Sequence, residues 1–360
     1  MTDGEAEGTR GDVRAATDGD TYVHGASSGE GPHSTQGTRS GVGRDRGAKE
    51  IPMVPKDRPR TYYDRPVVKE PVWKPEIPWY FFTGGLGGAS SALAYLASVS
   101  GNRRLARRSW FLALTGISVS PILLILDLGR PERFFNMLRV FKVTSPMSVG
   151  SWLLMANSAA VTPAAAASLI GFPKGLGRRA APIAALLGLP LSTYTAVLIS
   201  NSAIPVWSEA RRELPLVFAA GAATSAGAAA AVLTPTRYAG PARRLAIGGA
   251  VAEIASAQVM EHRLGELSQS YKQGDAGTYD KLSRGLTVAG AALMAAGGRR
   301  RSAAVLGGTL LLAGAVCKRW STFKAGFASA EDPRQTVGPQ RERVEERRRE
   351  AGIEGTAITG

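Results

Sequence analysis

Apolar residues along the chain gather into eight blocks, and a short polar or basic segment separates each block from the next. A helix of about 20 apolar residues is long enough to cross the ~30 Å hydrocarbon core of a bilayer. The pattern predicts an all-α integral membrane protein with a bundle of eight transmembrane helices, or six or seven if one of the two short final blocks is interfacial. The blocks cover residues 78–99, 109–127, 149–170, 180–202, 214–233, 245–262, 284–298 and 302–318.

Polar sequence flanks these blocks on both sides. Residues 1–76 are dominated by Gly, Asp, Ser, Thr, Arg and Pro, and residues 326–360 mix acidic with basic side chains. Such segments bury too little apolar surface to offset the entropy lost on ordering them. We therefore expect disordered N- and C-terminal tails at 1–76 and 326–360, around a transmembrane domain at 77–325.

The distribution of charged residues bears on whether the protein binds nucleic acid and on how it is oriented in the membrane. The formal net charge is +15, but the arginines lie in the tails and in short loops between blocks, so membrane topology explains them better than nucleic-acid binding does. Eight spans place both termini on one side. The four loops on the other side carry thirteen Lys and Arg residues, which favours a multi-pass protein of the cell membrane with both tails extracytoplasmic. Basic residues just before the first block, such as Arg65 and Lys74, point the other way.

Metal ligands are scarce in this sequence. Cys317 is the only cysteine, so the chain cannot hold an iron–sulfur cluster through its own thiolates. The three histidines are His24, His33 and His262, and the first two lie in the predicted tail. A membrane b-type haem is normally held by two histidines, so we expect neither haem nor iron–sulfur cluster in this chain.

Two carboxylates in the sixth block are candidates for proton transfer. Glu253 lies near its middle and Glu261 near its end, and eight residues place them within about 80° of one another around a helix. Ionisable groups inside a membrane span are costly and therefore indicate function. The pattern fits a proton path, and it equally fits one buried glutamate bonded to a neighbour plus an interfacial pair of Glu261 with His262.

Polar side chains in the fourth block suit a quinone, and Tyr80 or Thr83 in the first block would contribute to the wall of a pocket. Tyr80 and Thr83 lie in the first block, and Tyr194 and Asn201 in the fourth are seven residues apart, so they share a helix face. A phenol and an amide at membrane depth can donate hydrogen bonds to quinone carbonyls. The alternative is that these tyrosines belong to the aromatic belt at the membrane interface.

An unusual carboxylate ends the second block in the sequence ILDLGRPERFF. Asp127 lies at the C-terminal end of a predicted helix, where the helix dipole disfavours negative charge. The segment that follows has the pattern of a short amphipathic helix lying in the interface. This helix would bring Arg130 or Arg133 back to Asp127, to form part of a binding pocket or only to clamp the loop.

Three stretches carry a resemblance to a known family. DLGRPERFF with TSPMSVGSW, YFFTGG in the first block and TYTAVLIS in the fourth resemble the NrfD-type family of polysulfide reductase membrane subunits, over most of residues 77–325. The resemblance implies a haem-free quinone-reactive subunit without activity of its own. It would anchor a ferredoxin-like iron–sulfur subunit that is joined to a molybdopterin catalytic subunit, and exchange electrons with quinone or menaquinone. The quinone-site residues that it implies are Tyr80, Thr83, Asp127, Arg130 and Tyr194.

Two other functions remain open on the sequence. A secondary transporter would also contain a mid-membrane acid such as Glu253, although it would show inverted internal repeats. A purely structural anchor would use the same surfaces and bind no quinone.

Overall fold

A computed structural model of the chain describes residues 68–335 except 129, 172, 298 and 299, together with 337, 344 and 347–349. All regular secondary structure in this part of the chain is helical. In chain order the helices are α1 (Glu76–Val99), α2 (Arg103–Asp127), α3 (Phe134–Arg139), α4 (Pro146–Leu169), α5 (Lys174–Ser200), α6 (Pro205–Glu209), α7 (Leu214–Leu233), α8 (Gly240–Leu264), α9 (Gly274–Gly297) and α10 (Arg301–Glu331).

The long helices coincide with the apolar blocks of the sequence. Within the described residues, eight helices have 20 residues or more, and each contains most of one block. Five of them, namely α2, α4, α5, α7 and α10, are long and apolar enough to cross a membrane. The other three contain many small or charged residues, which lower their hydropathy. The structure therefore confirms a helical membrane protein, while the count of eight spans stays a prediction.

Consecutive long helices pack as hairpins, pairing α1 with α2, α4 with α5, α7 with α8 and α9 with α10. Glycines lie where helices cross most closely. A Cβ atom added at Gly116 of α2 would lie 2.7 Å from the Cα atom of Gly87 in α1, so only glycine permits that approach. Gly290 and Gly307 form a similar contact between α9 and α10. Such close approach of small residues is how helices associate in lipid, where no hydrophobic force drives them together.

The four short loops between hairpin partners meet at one end of the bundle, which we call the arginine end. The Asn102 side chain donates a hydrogen bond to the carbonyl of Tyr238 (2.8 Å), joining the α1–α2 loop to the α7–α8 loop. The Arg107 guanidinium donates to the carbonyl of Leu169 at the end of α4 (3.0 Å). We call the opposite end, where α3, α6 and residues 68–75 lie, the tail end.

Both predicted tail boundaries differ from the structure. Residues 1–67 of the expected N-terminal tail lie outside the described residues, whereas Trp73 stacks on Trp207 with ring centroids 5.5 Å apart. At the other end, α10 continues to Glu331 instead of ending near residue 318. Gly326 receives the ring of Trp207, and the Ser329 hydroxyl accepts a hydrogen bond from the Val206 N–H (3.3 Å). These contacts with α6 extend the helix into what we expected to be tail.

Candidate functional site

A cleft near the tail end, which we call the aromatic pocket, lies among α1, α2, α4 and α5. Its empty volume is ≈ 500 Å³, part of it open to solvent. Three of the five predicted quinone-site residues, Tyr80, Asp127 and Tyr194, line it together. The other lining residues are Trp73, Ile77, Phe81, Leu124, Leu128, Met137, Met147, Ser151 and Leu198.

The two tyrosines of the pocket are held by close packing. Tyr80 is 2% exposed and Tyr194 is 8% exposed. The Tyr194 ring lies directly against Gly150 of α4, in the space that a Cβ atom would occupy, so this position requires glycine. The glycine of the SVGSW motif therefore has a structural role. It leaves space for the phenol ring of Tyr194 between α4 and α5.

The carboxylate of Asp127 has a different partner from the one that we predicted. Its Oδ1 atom accepts a hydrogen bond from the main-chain N–H of Lys74 (2.9 Å), and the Lys74 ammonium approaches the carbonyl of Leu126 (3.4 Å). Within the described residues Asp127 forms no ion pair with Arg130 or Arg133, and both arginines are exposed. The predicted aspartate–arginine pair is therefore not formed among the described residues, and the chain just before α1 contacts the acid instead.

Two further polar candidates lie away from the pocket. The Thr83 hydroxyl is within 2.9 Å of the Ser120 hydroxyl and so links α1 to α2. Asn201 is exposed at the end of α5, where its amide donates to the carbonyl of Val197 (2.9 Å). Neither side chain lines the aromatic pocket. Their hydrogen bonds are made to helix residues and not to a ligand there.

The segment after Asp127 is helical over a short stretch only. A 3-10 turn over Pro131–Arg133 leads into α3, which ends at Arg139. Both are largely exposed, and Phe135 is 75% exposed. Met137 is the residue of α3 that lines the aromatic pocket.

A second cavity, which we call the charged cavity, lies among α8, α9 and α10. Its empty volume is ≈ 280 Å³. Charged and hydroxyl side chains from all three helices meet there, although helix interiors in a membrane seldom contain them. The cavity is lined by Glu253, Ile254, Ala257, Ser283, Arg284, Thr287 and Lys318.

A chain of ion pairs leads from this cavity towards the tail end. The Lys318 ammonium, 3% exposed, donates to Oδ1 of Asp280 (2.8 Å), and Nε of Arg284 donates to Oδ2 of the same carboxylate (2.6 Å). Arg284 also pairs with Glu261. The partner of Glu261 is thus Arg284 and not His262, which is exposed.

Glu253 is the least satisfied charged group of the network. It is 3% exposed, and neither carboxylate oxygen has a hydrogen-bond partner among the described residues. Its nearest cation is Arg319, whose Nη1 atom also lacks a partner there and whose Nη2 atom donates to the carbonyl of Phe218 (2.9 Å). Both side chains meet beside Gly221 of α7, where a Cβ atom would collide with the Glu253 carboxylate. Buried polar groups of this kind are normally completed by water, and the adjoining cavity has room for it.

Aromatic rings separate the charged network from the aromatic pocket. The Arg319 guanidinium lies 3.8 Å from the centroid of the Phe218 ring. That ring meets Phe81 edge-on at 5.7 Å, and Phe81 is a wall of the aromatic pocket. The two sites are neighbours in the bundle with a layer of phenylalanine between them.

Several residues of these sites escaped prediction. Lys318 and Arg319 were missed because we ended the last block at the charges, although small residues recur at Ser321, Ala325 and Ser329. That spacing of four residues indicates that the helix continues with one face packed against its neighbours. Trp73 was missed because it lies within the predicted tail.

The sequence of the chain also matches a family of known proteins. No curated protein matches the chain. A family model described as polysulfide reductase matches residues 63–330, which is most of the chain and includes both cavities. The resemblance carried by the DLGRP, SVGSW and TYTAVLIS motifs is thereby confirmed. The chain belongs to the polysulfide reductase (NrfD-type) family, which supplies membrane subunits to quinone-interacting oxidoreductase complexes.

Proposed function

We propose that the chain is the quinone-reactive membrane subunit of a multi-subunit oxidoreductase, passing electrons between a partner's iron–sulfur cluster and the quinone pool. The observation that carries the proposal is the convergence of Tyr80, Asp127 and Tyr194, from three helices, on one aromatic pocket. The family match supports the same class of function.

The lining of the pocket suits the chemistry of a quinone ring. Ligand sites are mostly apolar clefts with a few polar groups that fix orientation, and this cleft is walled by Trp73, Phe81 and Leu198. The phenols of Tyr80 and Tyr194 are donors that suit the two carbonyl oxygens of a quinone or menaquinone headgroup. Among the described residues no group of three or more His, Cys, Asp or Glu could hold a metal ion. The iron–sulfur cluster of the partner would supply or accept the electrons.

Asp127 is the residue that we assign to proton exchange at the quinone. Conversion of a quinone to its quinol takes up two electrons and two protons, and the reverse reaction releases them. The Asp127 carboxylate is half-buried, lines the pocket and is oriented by the Lys74 N–H, so it can pass protons between a bound ligand and the surface of the tail end.

Glu253 and Glu261 form a second route for protons in this proposal. Arg284 pairs with Glu261 and lines the same cavity as Glu253, so the network extends from mid-bundle towards the end of α8. The phenylalanine layer separates this route from the quinone, which suits the storage of protons apart from the redox pocket.

We assign the tail end to the partner subunits. Arg130, Arg133, Arg139 and Lys142 are exposed beside the aromatic pocket, so a ferredoxin-like iron–sulfur subunit docked there would place its cluster near the quinone. Arg130 thus belongs to this docking surface rather than to the pocket. The iron–sulfur subunit would carry a molybdopterin catalytic subunit, on the extracytoplasmic side of the cell membrane.

The test is quinone-dependent turnover of the assembled complex with Tyr194→Phe or Asp127→Asn. Loss of one phenolic hydrogen bond should lower turnover roughly fivefold. Loss of the titrating carboxylate should lower it on the order of 10²-fold. The Lys74 N–H can still donate to the side-chain amide oxygen of the substituted asparagine, so the loop should keep its place.

Tyr95→Phe and Glu132→Gln are the matched controls, because these residues lie outside the pocket. Both should retain normal turnover, and all four variants should assemble with their partners. If Tyr194→Phe and Asp127→Asn assembled and kept full quinone turnover, the chain would be a structural anchor and the proposal would be wrong.

A further inference from the structure

The loops at the arginine end of the bundle carry many basic residues and no acidic ones. The four loop segments at residues 100–108, 170–179, 234–245 and 298–302 contain thirteen Lys and Arg residues and no Asp or Glu. At the tail end, by contrast, buried acids pair with basic side chains, as Glu213 does with Arg263. Among the described residues, these loops therefore have no carboxylate of their own as counter-charge.

A cleft at this end gathers part of that charge. It lies beside the start of α2, the end of α4 and the α7–α8 loop, and its empty volume is ≈ 910 Å³, including open solvent. Three arginines form its polar wall and apolar side chains form the rest. The lining residues are Arg104, Arg107, Arg108, Phe111, Leu169 and Pro235.

Two of the three guanidinium groups of this cleft are held by contacts within the chain, and all three retain free donors. Arg104 stacks on the Tyr238 ring at 4.6 Å, and Arg107 uses one N–H on the carbonyl of Leu169. Arg108 makes no hydrogen bond or ion pair with any described residue. Arg301 differs, because its guanidinium caps α7 through the carbonyls of Ala231, Val232 and Thr234. The cleft therefore offers three cations that no carboxylate among the described residues compensates.

We propose that this cleft binds the phosphate headgroup of an anionic phospholipid. Guanidinium groups bind phosphate oxygens through paired N–H donors, and basic pockets between membrane helices suit lipid headgroups. The apolar wall favours a lipid over free phosphate. Phe111 lines the cleft and is 48% exposed, so acyl chains attached to the headgroup can lie against it. Soluble phosphate would leave that surface uncovered.

The test measures binding of phosphatidylglycerol to the purified full-length chain in a neutral detergent. We expect phosphatidylglycerol to raise the unfolding temperature in a saturable way, and phosphatidylcholine to give no saturable rise. Arg108→Gln should weaken the apparent affinity roughly fivefold, since one arginine near an anionic headgroup contributes about that factor. Arg108 makes no hydrogen bond or ion pair within the described bundle, so its replacement should leave the stability without lipid unchanged.

Arg178→Gln is the matched control, because Arg178 is an exposed arginine of the same end that does not line the cleft. It should keep the wild-type affinity. An equal loss in both variants would show diffuse attraction to the whole surface and overturn the site. Inorganic phosphate that raised the unfolding temperature as phosphatidylglycerol does, at equal concentration, would overturn the assignment to lipid. Neither result depends on quinone turnover, so this inference and the proposed function can fail separately.

Discussion

The aromatic pocket and the charged cavity lie in one bundle but have linings of opposite polarity. The pocket is walled by aromatic and aliphatic side chains, with Asp127 as the only ionisable carboxylate among its lining residues. The cavity brings Glu253, Arg284 and Lys318 together in a smaller space. The pocket thus has a mostly apolar lining, whereas the lining of the cavity is strongly charged. Two sites of different polarity can coexist because the Phe81–Phe218 layer separates them.

The free-energy cost of burying the polar side chains also differs between the two sites. Buried phenols need only a nearby donor or acceptor, but a buried ion needs an opposite charge and further hydrogen bonds. Asp280 satisfies this rule through two cations, while Glu253 and Arg319 satisfy it only in part. Partly satisfied charges inside a membrane bundle are costly, so the presence of Glu253 and Arg319 supports the hypothesis of a functional site there.

The largest effect is expected from Asp280→Asn, which tests whether the charged network supports the fold. Lys318 is 3% exposed and would lose its counter-charge, which should cost about 3–5 kcal/mol of stability. The measurement is thermal unfolding of the purified full-length chain. Asp280→Asn with Lys318→Met should recover much of the loss, because no unpaired ion would remain.

Asp275→Asn provides the surface control for that experiment. Asp275 pairs with Lys324 at 3.5 Å but is 75% exposed, and such surface pairs contribute about 0–1 kcal/mol. Equal destabilisation by Asp275→Asn and Asp280→Asn would show that the buried network has no special role in stability.

The next largest effect is expected from Glu253→Gln, which tests the division of labour between the two sites. Turnover with quinone should fall by about 10²-fold if quinone chemistry is coupled, as proposed, to proton transfer through the separate route that contains Glu253. The KM for quinone should not change, because Glu253 does not line the aromatic pocket. Glu266→Gln replaces an exposed acid just after α8 and should leave both parameters normal. A raised KM with normal turnover would place Glu253 in the quinone site. The two sites would then not have separate roles.

The smallest effect is expected from Gly150→Ala, which perturbs the pocket alone. The added methyl group must displace the Tyr194 ring, at a cost of about 1–3 kcal/mol, so quinone turnover should fall roughly tenfold. Gly175→Ala is the matched control, because a Cβ atom there meets nothing within 4 Å. Unchanged turnover in Gly150→Ala would show that the position of the phenol is not critical.

The helices and part of the pocket could be predicted because they follow from local sequence. Apolar blocks fix where long helices form, and family motifs pointed to Tyr80, Asp127 and Tyr194, which the structure brings together. The residue types suited to a quinone were also visible. What the sequence could not show was which cation or amide reaches Asp127, since that depends on the path of the chain before α1.

The charged network was beyond prediction for a related reason. Lys318 and Asp280 are 38 residues apart, and their pairing is set by the way in which α9 packs against α10. Charges at the end of an apolar block normally indicate the membrane surface, so Lys318 and Arg319 looked like the end of a span. Their burial becomes visible only when the contacts of α6 and α7 with α10 are known.

The hydrogen bond from Lys74 to Asp127 has a consequence for how this protein can vary during evolution. The donor is a main-chain N–H, so nearly every residue at position 74 supplies it equally well. Proline is the exception, because it lacks that hydrogen. A substitution at position 74 by any residue except proline should therefore keep the contact, so the identity of the side chain there says little about a position that orients the acid of the pocket.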